Sequence, residues 1–222
     1  MTEEAPFFRL DWVFDNLDML VQRTGEHVVL TLIGVGAGIL IAFPVTLLIH
    51  RRRRLIGPVL GLAGILYAIP SLALFGLLIP VTGIGLVTAE IALVSYTLLI
   101  LVRNGLSGLD GVAPEIVEAA TGMGHTRIQQ LWRVQLPLAT PVIIAGIRIA
   151  TVTTIGLVAV TALIGQGGLG FVIITIGINR FFPTAILVGV GLSVLLAVLA
   201  DRGLVLAERA LTPWTRAGSG EG

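Results

Sequence analysis

The chain contains no cysteine and no lysine among its 222 residues. Without cysteine there is no disulfide, no thiolate-held zinc and no thiol nucleophile. Without lysine there is no Walker A phosphate loop, whose lysine sits on the β- and γ-phosphates, so ATP hydrolysis by that route is excluded. All fourteen basic residues are arginine, a usage that a GC-rich genome also produces. Charge is scarce: 12% of residues are charged and the net charge is +1, which leaves no basic footprint for nucleic acid. His27, His50 and His125 are placed by the sequence at membrane edges or in a polar loop and form no metal-ligand spacing. No nucleophile, metal cluster or acid–base pair is evident, which counts against an enzyme.

What is present is apolar. Hydrophobic residues make up 55% of the chain and the mean hydropathy is +1.00, which places it among integral membrane proteins. The length suits one membrane domain with no soluble domain of its own. A helix needs about 20 mainly apolar residues to cross the hydrocarbon core, and five segments qualify: 28–49, 55–80, 84–102, 141–164 and 184–200. The expected fold is therefore all-α with five transmembrane helices. Residues 1–27 form a segment before the first span, 104–140 a polar loop, and 201–222 a tail.

Orientation is expected from the arginines, since short cytoplasmic loops hold the basic excess. With the amino terminus outside, Arg51 to Arg54, Arg103, Arg127, Arg133, Arg202, Arg209 and Arg216 face the cytoplasm. Arg9, Arg23 and Arg180 lie outside, and Arg148 falls within a span. The carboxyl terminus is then cytoplasmic. A cleaved signal peptide is not expected, because the first apolar run is long, follows an acidic prefix and ends in arginines. In the prefix, Leu10, Val13, Phe14, Leu17, Leu20 and Val21 recur at helical spacing opposite Asp11, Asp15 and Asp18, which predicts an interfacial helix on the outer surface, with contact to a substrate-delivering protein as the alternative. The last helix should run a few turns past Ala200, and residues 217–222 should be disordered.

The polar loop carries its own helix signals. Pro114 suits a first helical position and Glu115 favours the positive end of a helix. Gly122 or Gly124 can supply the left-handed residue that ends it. Thr126 and Gln129 form a capping box for a second helix, which should stop before Pro137.

Within this loop, Glu118-Ala119-Ala120 is followed after three residues by Gly124, and after nine more by Val134-Gln135-Leu136-Pro137. The pattern resembles the EAA loop of ABC importer permeases of the MetI-like fold, with Val134 where that consensus has Ile. The resemblance extends over roughly residues 25–215. Ala68 to Leu74, Tyr96 to Asn104, and Gly165 to Gly170 look like the osmoprotectant branch, which imports glycine betaine, carnitine or choline. Methionine permeases and other small-solute permeases share the architecture.

The resemblance implies that Glu118, Ala119, Ala120, Gly124, Leu136 and Pro137 dock the chain onto a separate, dimeric ATPase. That partner would bind ATP and Mg, and this chain would hold no cofactor or metal. It also implies a second permease copy or homologue and a separate substrate-binding protein, all assembled in the lipid of the bacterial cytoplasmic membrane. The solute path is expected along the middle three spans, with Pro70, beside Ser71, breaking a helix either as part of that path or only as a kink. Tyr67 and Tyr96 could offer aromatic faces to a quaternary ammonium, or could pack or anchor at interfaces.

Glu90 and Arg148 are expected to snorkel or pair between helices, with a gating or substrate contact as the alternative. Phe171 to Ile178, after the glycine run, is either a short interfacial helix or a re-entrant segment. A secondary transporter is the competing class. Such carriers show repeated broken helices or paired carboxylates, whereas this sequence has one membrane carboxylate and one strongly broken span.

Overall fold

A computed structural model describes residues 7–216, and the expected disorder of 217–222 falls outside them. Among the described residues every regular element is helical. In order the α-helices are α1 (Leu10–Asp15), α2 (Leu17–Arg51), α3 (Ile56–Ala68), α4 (Ser71–Thr82), α5 (Leu86–Asp110), α6 (Pro114–Gly122), α7 (Arg127–Gln130), α8 (Leu136–Val160) and α9 (Pro183–Leu211). Two π-helical stretches, Leu131–Gln135 and Phe171–Ile178, lie on either side of α8.

Among the described residues four helices are long and apolar enough to cross a membrane: α2, α5, the continuous helix Arg127–Ile164, and α9. The stretch 55–80, expected as one span, is two helices that bend by 98° at Ile69–Pro70. Pro70 has extended backbone (φ −56°, ψ 135°) and caps α4; it has no amide to donate, and its ring excludes the preceding turn of a continuous helix. The pair makes a fifth crossing if its halves count together.

The prefix also differs from expectation. Leu17, Leu20 and Val21 are the first turns of α2 itself, and only Asn16 separates that helix from the short α1. Trp12 and Val13 pack inward, with Trp12 edge-on to Phe182 at 5.2 Å between ring centroids. Arg9 and Asp11 pair at 2.8 Å, and the neighbouring guanidinium holds the Asp11 carboxyl below the usual range.

The chain divides into two compact units. One comprises the residues up to Gly36, Ile69–Val94 and Thr151–Leu199; the other comprises Ala37–Ala68, Ser95–Ala150 and the residues from Ala200 onward. The first has cores around Leu20, Val172 and Ala185, and around Leu30, Leu93 and Val158. The second is built on Ala42, Ile49, Leu101, Val102, Leu106 and Ala150, with a smaller cluster of Leu109, Leu131 and Ala139.

Small residues allow the close helix approaches in each unit, as in membrane helix packing generally. A Cβ on Gly34 would press on Leu93 and Glu90, and one on Gly38 would collide with the Thr97 side chain. This Gly34–Gly38 spacing is a GxxxG step that a search for small residues in the first span would have found.

Candidate functional site

The polar loop forms a rigid helical corner. Pro114 opens α6 at its first position with Glu115 in the first turn. The helix ends in a Schellman turn: the His125 amide donates to the Ala120 carbonyl (3.1 Å) and the Gly124 amide to the Thr121 carbonyl (2.9 Å). That motif needs a left-handed residue, and Gly124 supplies it at φ +82°. No atom crowds the place of a Gly124 Cβ, so glycine is required by backbone conformation and not by space.

Two residues later α7 begins with the expected capping box. The Gln129 amide donates to Thr126 Oγ1 (3.3 Å), and the Thr126 amide donates to Gln129 Oε1 (2.8 Å). Gln130 Nε2 ties the corner by donating to Thr121 Oγ1 (2.9 Å) and to the His125 carbonyl (3.1 Å). Ala120 is buried, whereas Glu118, Ala119 and Gly124 are exposed. A shaped, polar surface is thus held by an internal hydrogen-bond network.

The second loop helix does not stop before Pro137, contrary to the sequence expectation. Helix continues from Arg127 to Ile164, with Leu136 and Pro137 half-buried at the start of α8. The reason is the π-helical stretch: the Leu136 amide donates to the Leu131 carbonyl, five residues back. Pro137, which has no amide, follows at the step where the ladder returns to ordinary spacing. The widened turn accommodates the ring and the missing donor.

Of the residues expected along a solute path, Tyr67 and Tyr96 meet edge-to-face, 5.9 Å between centroids and 71° between planes. Tyr96 is buried and Tyr67 exposed. Pro70 is exposed and Ser71 half-buried at the start of α4. Arg148 pairs between helices as expected, with Asp201 at 2.8 Å and Glu208 at 3.6 Å. Glu90 does neither thing expected of it: both carboxylate oxygens are buried without a hydrogen-bond partner, beneath Gly34.

A further cluster went unread in the sequence. His27, expected at a membrane edge, is fully buried. Its Nε2–H donates to the Ile155 carbonyl (2.9 Å), and its Nδ1 accepts from the Leu169 amide (3.2 Å). A carbonyl can only accept and an amide can only donate, so the ring is held as one neutral tautomer.

Next to it, Glu26 accepts from the Gly168 amide (2.9 Å) and pairs with Arg23 (2.8 Å), whose guanidinium lies 4.0 Å over the Phe171 ring. These bonds fasten the glycine run to α2. Phe171–Ile178 then packs within its unit: Gly170 sits against Ala159, and Gly177 against Ile186. No local pattern signals these partners, because they lie 128 and 142 residues apart.

Comparison with known proteins places this arrangement. The family model described as "Binding-protein-dependent transport system inner membrane component" matches residues 34–213. The chain is 40% identical over 194 residues to the choline transport system permease protein OpuBB of Bacillus subtilis, covering 87% of this chain and 89% of that one. It is also 40% identical over 209 residues to the osmoprotectant import permease protein OsmW of Salmonella typhimurium, covering 92% and 97%. Among solved structures, an inward-facing form of the MetNI methionine ABC transporter superposes with a TM-score of 0.80 at 25% identity, covering 89% of this chain and 98% of the matched one. With an EAA-type corner between apolar helices and a family match over most of its length, the chain belongs to the binding-protein-dependent transport system inner membrane components.

Proposed function

We propose that this chain is the permease subunit of an ATP-driven importer for osmoprotectants such as choline, glycine betaine or carnitine. The observation that carries this reading is the near-full-length likeness to permeases named for choline and for osmoprotectant import. The engine is a separate dimeric ATPase that binds ATP and Mg, since this chain lacks the lysine of a phosphate loop. Glu118, Ala119 and Gly124, exposed on a braced corner, suit the docking role, with Leu136 and Pro137 joining that corner to the long α8. A second permease copy or homologue completes the pore, and a separate binding protein delivers solute. The arginine excess supports a cytoplasmic corner and an outer amino terminus.

Tyr67 and Tyr96 are the aromatic pair suited to a quaternary ammonium passing along the path, beside the helix break at Pro70 and Ser71. The test is growth rescue. The chain, expressed with its ATPase and binding protein, should restore growth at high salt, in the presence of glycine betaine or choline, to cells lacking osmoprotectant uptake. Rescue of methionine uptake alone would assign the chain to a sister branch, and rescue without the ATPase would make it a carrier of another class.

A further inference from the structure

We infer that the cleft between the end of α2 and α7 holds the phosphate of an anionic phospholipid, clamped by Arg51 and Arg127. The cleft measures about 510 Å³ and is lined by His50 and Arg51 from α2, and by Arg127, Gln130 and Gln135 from the corner and its π-helical extension. Among the described residues no carboxylate lines it. Asp110, the acid that pairs with the α2 end, is already committed: its oxygens bind His50 Nδ1 at 3.0 Å and Arg53 Nη1 at 2.5 Å. Arg51 and Arg127 are both exposed and carry planar forks suited to phosphate oxygens.

Position favours a lipid over a partner protein. The apolar run of α2 gives way at His50 to the four successive arginines Arg51 to Arg54, the basic pattern that marks the cytoplasmic end of a membrane helix. Trp132, 55% exposed, lies on the π-helical stretch next to the cleft and faces Phe43 of α2 at 6.1 Å. Indoles concentrate at that same headgroup level. Basic pockets at membrane-helix ends are general sites for anionic headgroups. Gln130 lines the cleft while holding Thr121 and His125, so an occupant would touch the network that shapes the corner. The inference does not depend on which solute is carried.

The test uses the full-length chain purified in detergent, with retained lipid counted by native mass spectrometry after equilibration with phosphatidylglycerol or phosphatidylcholine. Arg51→Gln/Arg127→Gln should lower phosphatidylglycerol retention roughly thirtyfold, at about 1 kcal/mol for each arginine. Arg52→Gln/Arg54→Gln removes the same charge from residues outside the cleft lining and should leave retention within about threefold of the parent. If the first pair cannot be recovered folded, Arg127→Gln alone carries the test with roughly a fivefold loss.

Equal retention by the parent and by the cleft variant would overturn the site, as would equal retention of phosphatidylcholine. Displacement of the lipid by millimolar inorganic phosphate would assign the cleft to free phosphate instead. If the cleft variant, co-expressed with the ATPase, keeps its lipid but loses the co-purified ATPase, the cleft belongs to acidic side chains of that partner.

Discussion

At the scale of single residues, Gly124 is constrained by its backbone conformation alone. Its left-handed backbone costs a residue with a Cβ about 1–2 kcal/mol, and the open space around it means that nothing else is lost. Gly124→Leu should therefore leave expression and membrane insertion intact while abolishing co-purification of the ATPase. Gly124→Asn, which tolerates this conformation, should retain much of it. Full coupled transport by the leucine variant would remove the docking role from this corner.

His27 makes a contrasting case. His27→Phe keeps the ring volume but leaves the Leu169 amide buried without a partner, which costs about 1–3 kcal/mol. The apparent melting temperature in detergent should fall accordingly. An unchanged melting curve would mean that the glycine run is held by other contacts. Glu90 reverses the sign: a buried, unpaired carboxylate is unfavourable, so Glu90→Gln should leave the protein equally or more heat-stable. A large loss of uptake from a stable Glu90→Gln protein would give that carboxylate a transport role.

At the scale of elements, the features readable in the sequence were those whose physics is local. Pro114, the capping box of Thr126 and Gln129, and the left-handed glycine each act within a few residues. The break at Pro70 was readable for the same reason, although its size of 98° was not. Pro137 was misjudged because the residue before a proline is disfavoured only in ordinary α geometry. The π-helical turn that relieves it depends on packing, with Leu131 buried beside Leu109 and Ala139. The boundary between α1 and α2 was missed for a similar reason: hydrophobic spacing continues across Asn16 and cannot show where a helix pauses. The capping box also yields a number. Thr126→Ala should cost about 1 kcal/mol at the head of α7, measurable as faster amide exchange over residues 127–130, and unchanged exchange there would mean that the π-helical continuation alone holds this turn.

At the scale of the whole molecule, composition alone places the chain in a membrane, and the missing lysine excludes a Walker A phosphate loop from it. The staple of His27 and Glu26 onto the glycine run was out of reach, because it joins residues more than 120 positions apart. Orientation can be tested on this cysteine-free chain with single cysteines at two exposed positions. Phe7→Cys should react with an impermeant maleimide in intact spheroplasts, and Met123→Cys only after the membrane is opened. Labelling of position 123 from outside would reverse the topology and remove the corner from the ATPase side.

The measurement closest to the central claim is uptake of labelled choline and glycine betaine into proteoliposomes holding this chain with its ATPase and binding protein. The proposed function predicts uptake that requires ATP inside the vesicles, is competed by the other osmoprotectant but not by methionine, and disappears with Gly124→Leu. Uptake that proceeds without ATP, or that methionine alone competes, would contradict it.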